Sequence, residues 1–259
     1  MIAKAMFKKE ASKRVINALK MVEKLDNTIN LVISEDCMKF VTMDRSHISF
    51  AILKLNPSNF EYISKEKEMV FKPDCQHLKK ILAAYRNSKD VLFTVEENNL
   101  IIEYFDDVNE IEFKSQFGTI DEHYDQVPKA PELEWPAQYT VCVKDLKDVV
   151  CAASSISEKL FFKSSEETDH ILTCFAEHVE KGEEKISMNA SFKTDAEYKE
   201  KIWGIYSTSR VQSLISSRTP FSDEVNIGLG VDLPLQLIFR LENVGQLEFL
   251  TAPRIESEE

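Results

Sequence analysis

The chain repeats one pattern four times, a short amphipathic helix followed by strands in which apolar and polar residues alternate. The helices are predicted to begin near Glu10, Asp74, Lys144 and Ser207. The steps from the first helix to the second and from the third to the fourth are nearly equal, while the middle step is longer. A fixed period indicates a repeat architecture, which builds a surface, a solenoid or a ring. The pattern therefore predicts an α+β fold of two similar domains, each holding two copies of a helix-plus-antiparallel-strand unit.

The composition is that of a globular protein without a membrane anchor. Its 259 residues are 43% hydrophobic and 29% charged, enough for one large or two ordinary domains. No apolar run approaches the roughly 20 residues that span a bilayer, and the N-terminus lacks the apolar core of a secretion signal. The five scattered cysteines favour reduced thiols over disulfides. We expect a soluble intracellular protein, and these residues alone do not separate nucleus from cytoplasm.

The net charge of −12, taken alone, argues against a nucleic-acid partner. The distribution of the charged residues is more informative about a partner than this net charge. On the first predicted helix, residues 10–25, apolar side chains fall on one side at about 100° per residue. They are Val15, Leu19 and Val22. A basic stripe lies on the opposite side, with Asn17 filling its gap and Arg14 on its flank. The members of this stripe are Lys9, Lys13, Lys20 and Lys24.

The later helices carry less charge on their outer faces. The second is predicted over residues 74–86. The third and fourth, 144–156 and 207–217, present small, polar and nearly neutral side chains, with Arg210 and Arg218 at the edges of the fourth. The cationic surface is therefore concentrated in the first half of the chain.

A connector separates the two halves. From Gly118 to Ala137 the apolar periodicity stops, and the segment contains three prolines and five acidic residues. Proline fixes φ and removes a hydrogen-bond donor, so the segment is predicted to be extended. The predicted domains are residues 1–117 and 138–259, with the connector over 118–137.

The sequence contains no convincing catalytic or metal-binding constellation. The Cys and His residues lack metal-ligand spacing, and a Ser/His/Asp or Cys/His set is not identifiable. The run 228–230, Gly-Leu-Gly, lacks the strand-turn-helix context of a phosphate loop and is assigned to a strand. The sequence therefore predicts neither an enzyme nor a cofactor.

Four segments of the chain match motifs of one known family. They are residues 13–20, KRVINALK; 43–50, MDRSHISF; 231–235, VDLPL; and 252–256, APRIE. In that order they resemble the first pore-lining helix, the M-D-x-S-H segment and the C-terminus of the DNA sliding clamps of the proliferating cell nuclear antigen (PCNA) family. The likeness runs in order over the whole chain, including the connector.

This resemblance implies a closed trimer of two-domain subunits, with helices lining a pore and sheets outside. Such a ring encircles duplex DNA and tethers DNA polymerase and other replication or repair factors as a processivity factor in the nucleus. It performs no chemistry, and a separate ATP-driven loader opens it. Two alternatives stay open: a specialised paralogue, either a heterotrimer member or a checkpoint clamp subunit, and a hydrolytic enzyme that uses Cys151 or His47.

The resemblance also implies which residues contact DNA. Motif matching assigns this role to Lys13, Arg14 and Lys20 on the first helix and to Lys80 on the second. The helical wheel adds Lys9 and Lys24, and the fourth helix adds Arg210 and Arg218. These contacts are directed to phosphates, so they carry no sequence information and permit sliding.

Client proteins of the family present a short peptide with a glutamine and an apolar-aromatic plug, which enters a pocket beneath the connector. The matching positions here are Met43, His47, Ile48, Phe50, Val127, Pro128, Pro234, Leu250, Ala252 and Pro253. Ring closure is predicted to use edge strands, 110–116 on one subunit and about 179–188 on the next. The chain departs from the family pattern at Leu250, where an aromatic residue is frequent, and at Trp135 in the connector.

Overall fold

The structure, a computed structural model, describes residues 1–63, 69–85, 89–97, 99–105, 113–122, 127–164, 171–178, 186–193, 196–198, 202–215 and 222–254. The chain divides into two compact units. The first comprises residues 1–130, 219–221 and 240–247, and the second comprises 131–218, 222–239 and 248–259. Helices and strands occur in both, as expected for the predicted α+β class.

The described ranges contain four helices. Helices α1 to α4 span Lys9–Leu25, Cys75–Ala84, Val143–Ser154 and Thr208–Ile215. Strands β1 to β9 span Ala3–Phe7, Asn30–Ser34, Cys37–Met43, Ser49–Leu55, Phe60–Ile63, Met69–Pro73, Asp90–Glu96, Asn99–Phe105 and Phe113–Glu122. Strands β10 to β18 span Ala137–Cys142, Lys159–Ser164, Ile171–His178, Ile186–Lys193, Ala196–Tyr198, Trp203–Ser207, Glu224–Leu229, Leu235–Leu241 and Gly245–Thr251.

In the first unit the strands run in the order β4-β3-β2-β6-β9-β8-β7-β1-β5, and the strand pairs described here are antiparallel. Helix α1 lies against β3 and β4 and contacts α2. Its apolar side is fully buried at Val15, Ile16, Leu19 and Val22. This burial fixes which side of α1 remains in contact with solvent.

A residue far along the chain caps the first turn of α1. Lys8, at the N-cap position, provides no side-chain cap. Instead, Asp90 at the start of β7 accepts a 2.9 Å hydrogen bond from the backbone N–H of Lys9 and pairs with the Lys8 ammonium at 2.9 Å. A carboxylate at this position satisfies an orphan N–H group and opposes the positive end of the helix dipole. The start of α1 is therefore tied to the sheet.

The second unit contains two groups of strands. One has the order β14-β10-β16-β17, and the other is a four-stranded sheet with the order β13-β12-β11-β15. In the four-stranded sheet, Leu160, Phe162 and Cys174 face the core on one side. Helices α3 and α4 contact each other. Alternation between buried and exposed residues in β10 and β11 follows the predicted period of two.

Several sequence-based boundaries need correction. The connector was predicted to begin at Gly118, but β9 continues to Glu122 because it pairs with both β6 and β8. Asn17 was placed on the solvent side of α1, whereas it is 7% exposed and its Nδ2 has no hydrogen-bond partner among the described residues. Strands β1, β5, β6, β14 and β15 were not predicted. The predicted end of the second helix, residue 86, and the first residues of both predicted edge segments lie outside the described residues.

The turn between β17 and β18 packs at close range against other residues of the first unit. The backbone N–H of Asn56 donates to the carbonyl of Val244 at 2.8 Å, and the Asn59 amide donates to the carbonyl of Asn243 at 3.0 Å. At Gly245, an added Cβ would lie 2.0 Å from the Lys54 carbonyl oxygen. The obstructing atom belongs to the backbone and cannot rotate away, so only glycine fits at this position.

We predict that Gly245→Ala lowers the free energy of unfolding by about 1 to 3 kcal/mol, the usual cost of forcing extra atoms into a packed site. Gly118→Ala is the matched control, because an added Cβ there meets nothing within 4 Å. Chemical denaturation at one fixed protein concentration measures both effects. Equal stability of the Gly245→Ala variant and the wild type would contradict the close approach.

Candidate nucleic-acid and partner interfaces

Helix α1 presents its lysines along a narrow strip. Lys9 and Lys24 are exposed, and Lys13 and Lys20 are half-buried beside the covered sides of the helix. The ion pairs found among the described residues do not include Lys13, Lys20 or Lys24. These three ammonium groups therefore offer positive charge to an external anion.

The electrostatic state of Lys20 reflects this crowding. Partial burial lowers the pKa of its ammonium group from the ordinary value of 10.5, and the nearby charge of Lys24 lowers it further. Both causes disfavour the charged form. A phosphate placed at the strip would relieve the repulsion between these two lysines, because it adds the opposite charge.

On α2, neighbouring lysines have different surroundings. Lys79 pairs at 3.1 Å with Glu23, a buried acid on α1, and so joins the two helices. Lys80 is exposed and takes part in none of the ion pairs among the described residues. Asp74 caps α2 by accepting hydrogen bonds from the backbone N–H groups of Gln76 and His77. The predicted cation Lys80 is thus available, while Lys79 stabilises the packing.

The predicted arginines are placed less favourably for DNA contact. Arg14 pairs at 2.8 Å with Glu242 from the β17–β18 turn. Arg210 is half-buried on α4, and Arg218 lies outside the described residues. On α3 and α4, the exposed thiol of Cys151 accepts a contact of 3.7 Å from the amide of Gln212. These two helices show the small polar side chains that were predicted for them.

Asp44 organises the loop that carries the MDRSHISF segment. Its Oδ1 accepts hydrogen bonds from the backbone N–H groups of Ile48 and Ser49, each at 2.8 Å, and its Oδ2 accepts one from the Ser46 hydroxyl at 2.6 Å. His47 adopts a left-handed φ of 57°. The loop between β3 and β4 therefore displays exposed His47 and Ile48 side chains on a rigid turn. The prediction missed Asp44 as a positioning residue, although a short acid before Ser and His is a turn signal.

The structure sorts the predicted client-binding residues into surface and core. In the first unit, Met43 and Pro128 are half-buried, whereas Phe50 and Val127 are buried. Phe50 is 4% exposed and Val127 is 6% exposed, so both side chains are largely covered, and their contact with a client stays a prediction.

In the second unit, three of the predicted client-binding residues are half-buried: Pro234, Ala252 and Pro253. Leu250 is 3% exposed and belongs to the core, and its contact with a client stays a prediction. After Pro253, the backbone N–H of Arg254 donates to the carbonyl of Ile205 on β15 at 2.7 Å, and its guanidinium donates to the carbonyl of Glu158 at 2.9 Å. These bonds hold the end of the described chain against β15.

Trp135 anchors the C-terminal end of the connector within the second unit. Its indole N–H donates to the carbonyl of Pro234 at 2.8 Å. The ring also lies so close to Gly228 that an added Cβ would meet it at 2.8 Å. The glycine at 228 therefore belongs to a strand that packs under the indole, as its predicted strand assignment requires. Trp135, a departure from the family pattern, fixes the backbone beside the predicted client-binding residue Pro234.

The described residues contain no cluster of three or more His, Cys, Asp or Glu side chains that could hold a metal ion. Their helices include none that is both long and apolar enough to cross a membrane. All five thiols are free, and Cys37, Cys75 and Cys174 are buried.

Comparison with known proteins gives consistent matches. The family model described as proliferating cell nuclear antigen, N-terminal domain, matches residues 1–125. The DNA polymerase sliding clamp of Methanothermobacter thermautotrophicus is 29% identical over 240 residues, covering 92% of this chain and 93% of that protein. The clamp of Methanobrevibacter smithii is 29% identical over 258 residues, covering 98% and 100%. A structure of A. fulgidus PCNA with the C-terminal region of FEN-1 bound matches with a TM-score of 0.76 at 19% identity, covering 99% and 100%.

These matches show a fold and a similarity to one family. The α+β architecture is that of the DNA sliding clamps, as the structural similarity to PCNA shows. In sequence the chain is similar to the proliferating cell nuclear antigen family of these clamps. The resemblance recognised in the four sequence segments is thereby confirmed. The relatives named above are DNA polymerase sliding clamps, and none of these matches supports the alternative of a hydrolytic enzyme.

The crowding at Lys20 leads to a prediction about its titration. We expect Lys24→Gln to raise the pKa of Lys20, because the substitution removes the nearby positive charge. Partial burial remains, so the pKa stays below 10.5. NMR titration of isotopically labelled lysine side chains measures this shift, and Lys54→Gln, on the exposed side of β4, is the control. An unchanged Lys20 pKa in the Lys24→Gln variant would show that the two ammonium groups do not interact.

Proposed function

We propose that this protein is a sliding clamp that encircles duplex DNA and tethers DNA polymerase as a processivity factor. The observation that carries the proposal is the set of lysines on α1 and α2 without ion-pair partners among the described residues. They are Lys13, Lys20, Lys24 and Lys80. They occur in a chain whose net charge is −12. A group of lysines on the faces of two contacting helices suits an anionic polymer that passes along those faces.

Topological linkage explains why a small number of weak contacts with DNA is enough to keep the clamp on the duplex. A closed ring stays on DNA without tight binding, so its side chains need only follow phosphates. Phosphate contacts are independent of sequence, and each one exchanges readily with the next along the duplex. We infer that three subunits, each made of the two predicted domains 1–117 and 138–259, form a trimer. The ring closes at edge strands. An ATP-driven loader opens the ring.

The proposed partners are proteins that carry a short clamp-binding peptide. The related A. fulgidus PCNA binds the C-terminal region of FEN-1. In this chain, exposed Ile48 and half-buried Ala252 and Pro253 are the apolar residues offered for such a plug. Roles in DNA repair, assembly as a homotrimer and location in the nucleus belong to this proposal. The relatives named above are archaeal clamps, so the nuclear location rests on the family resemblance alone.

Charge reversal at three lysines tests the DNA contact. We expect the Lys13→Glu, Lys20→Glu and Lys80→Glu triple variant to fold normally and to lose stimulation of polymerase processivity, because repulsion replaces attraction for phosphate. Primer extension with a clamp loader measures this effect. The control variant reverses Lys39 and Lys54, which lie opposite each other on β3 and β4. Normal stimulation by the triple variant would remove these residues from the DNA contact.

Substitution at the exposed apolar residues tests the client site. We expect Ile48→Asp, or Ala252→Asp with Pro253→Asp, to abolish binding of a FEN-1 C-terminal peptide while the assembly stays intact. The free energy needed to bury an unpaired carboxylate exceeds the free energy that an apolar contact contributes to binding. Isothermal titration calorimetry measures the peptide affinity. The control is Tyr62→Asp on β5, at a side chain that is 48% exposed against 36% for Ile48. Peptide binding that survives both variants would place the client site elsewhere.

The mass of the assembly separates homotrimer, heterotrimer and monomer. The chain has a mass of 29.8 kDa. We expect light scattering of the purified chain to give three times that value, because a closed ring requires every edge strand to find its partner. A monomer that trimerises only after sister chains are added would indicate the specialised heterotrimer. A stable monomer in every mixture would contradict the ring.

A further inference from the structure

The side chain of Arg14 is already occupied by an internal anion. Its Nη1 lies 2.8 Å from Oε2 of Glu242 and 3.4 Å from the backbone carbonyl oxygen of Glu242. Arg14 lies on the flank of the lysine strip of α1 and is 30% exposed at its side chain, whereas the Glu242 side chain is 73% exposed. Among the α1 cations matched to the family's DNA contacts, Arg14 is the one that has an ion pair among the described residues. Its partner is an acid on the solvent side.

The position of this acid is fixed by the turn that carries it. The backbone N–H of Val244 closes the turn by donating to the carbonyl of Leu241 at 2.8 Å, and Asn243 adopts a left-handed φ of 59°. Asn56 and Asn59 bind the carbonyls of the same turn. Glu242 is thus held beside α1 by the backbone, and it does not depend on its own pairing with Arg14 to stay there.

A DNA phosphate can replace Glu242 as the partner of Arg14 at a small cost in free energy. An exposed arginine–carboxylate pair contributes little to stability because water and salt screen it. A DNA phosphate and a carboxylate present similar oxygen pairs to a guanidinium group. Removal of the carboxylate therefore leaves Arg14 with one natural substitute, the phosphate that passes along the lysine strip.

We propose that Glu242 acts as an internal substitute for phosphate, which occupies Arg14 and weakens the grip of α1 on DNA. This inference rests on the proposed clamp function, and it adds a residue that limits the strength of the DNA contact. A carboxylate that competes with successive phosphates keeps each contact short-lived, which is what a sliding ring requires. Glu242 is therefore a positioning residue that acts through Arg14.

A double-mutant cycle tests the proposal with linear duplex DNA as the probe. We expect Glu242→Gln to bind the duplex more tightly and to gain about one phosphate contact, which makes the slope of log affinity against log salt steeper by about 0.9. The advantage over wild type should then shrink about threefold between 50 and 200 mM salt. Arg14→Gln should change little in the wild-type background and should cancel the gain in the Glu242→Gln background.

A control and a reference separate this inference from the proposed function. Glu61→Gln removes a carboxylate of the same type that pairs with Lys4 away from α1, and we expect no change in DNA affinity. A gain for Glu242→Gln that persists after Arg14→Gln, or that Glu61→Gln reproduces, would reduce the effect to net charge and overturn the inference. An unchanged salt slope for Glu242→Gln would also overturn it. Loss of DNA binding in the Lys13, Lys20 and Lys80 triple reversal would still uphold the clamp function in each case.

Discussion

Burial of α1 against β3 and β4 is the constraint on which the charged surface depends. Nine of its seventeen residues are buried, and four branched aliphatic side chains are fully covered. Each such side chain contributes about 1.5 to 3 kcal/mol. Repulsion between neighbouring like charges on a helix surface costs only a few tenths of a kcal/mol per pair. Hydrophobic burial therefore dominates, and it can hold several lysines together on the narrow side that remains exposed.

The same arrangement explains how an acidic protein handles an anionic ligand. Lys79 forms an ion pair with Glu23 where α2 packs on α1, while Lys80 stays exposed. Arg14 is balanced by Glu242. On α1 and α2, the available positive charge is thus limited in amount. A surface with few uncompensated cations gives weak, salt-sensitive contact with phosphates, which is compatible with movement along DNA once a ring provides the linkage.

The sequence predicted the repeating elements well because their signals are local. Each helix was placed to within one or two residues at its described ends, since a 3.6-residue period is visible in any single helix. The clamp fold followed from four short segments spread over the chain, and the structural similarities confirm it. Predicting these features does not require knowing which distant residues pack against them.

The features that the sequence did not reveal depend on distant partners. Asp90 caps a helix that begins 81 residues earlier, and Glu242 reaches Arg14 across 228 residues. Phe50 and Leu250 carry an apolar side chain that suits either a core or a pocket, and only tertiary packing decides between them. Asn17 follows the angular position of its lysine neighbours, yet the surrounding chain covers it. Pairing and burial of this kind are set by the fold as a whole, so local periodicity does not encode them.

Retention on closed DNA tests the central claim most directly. The protein is loaded onto a nicked circular plasmid by its clamp loader, and the bound fraction is measured by gel filtration before and after a restriction enzyme linearises the plasmid. Encirclement predicts stable retention on the circle and release through the free ends after cutting. Equal retention on circular and linear DNA would show that the protein holds DNA by affinity and would contradict the account.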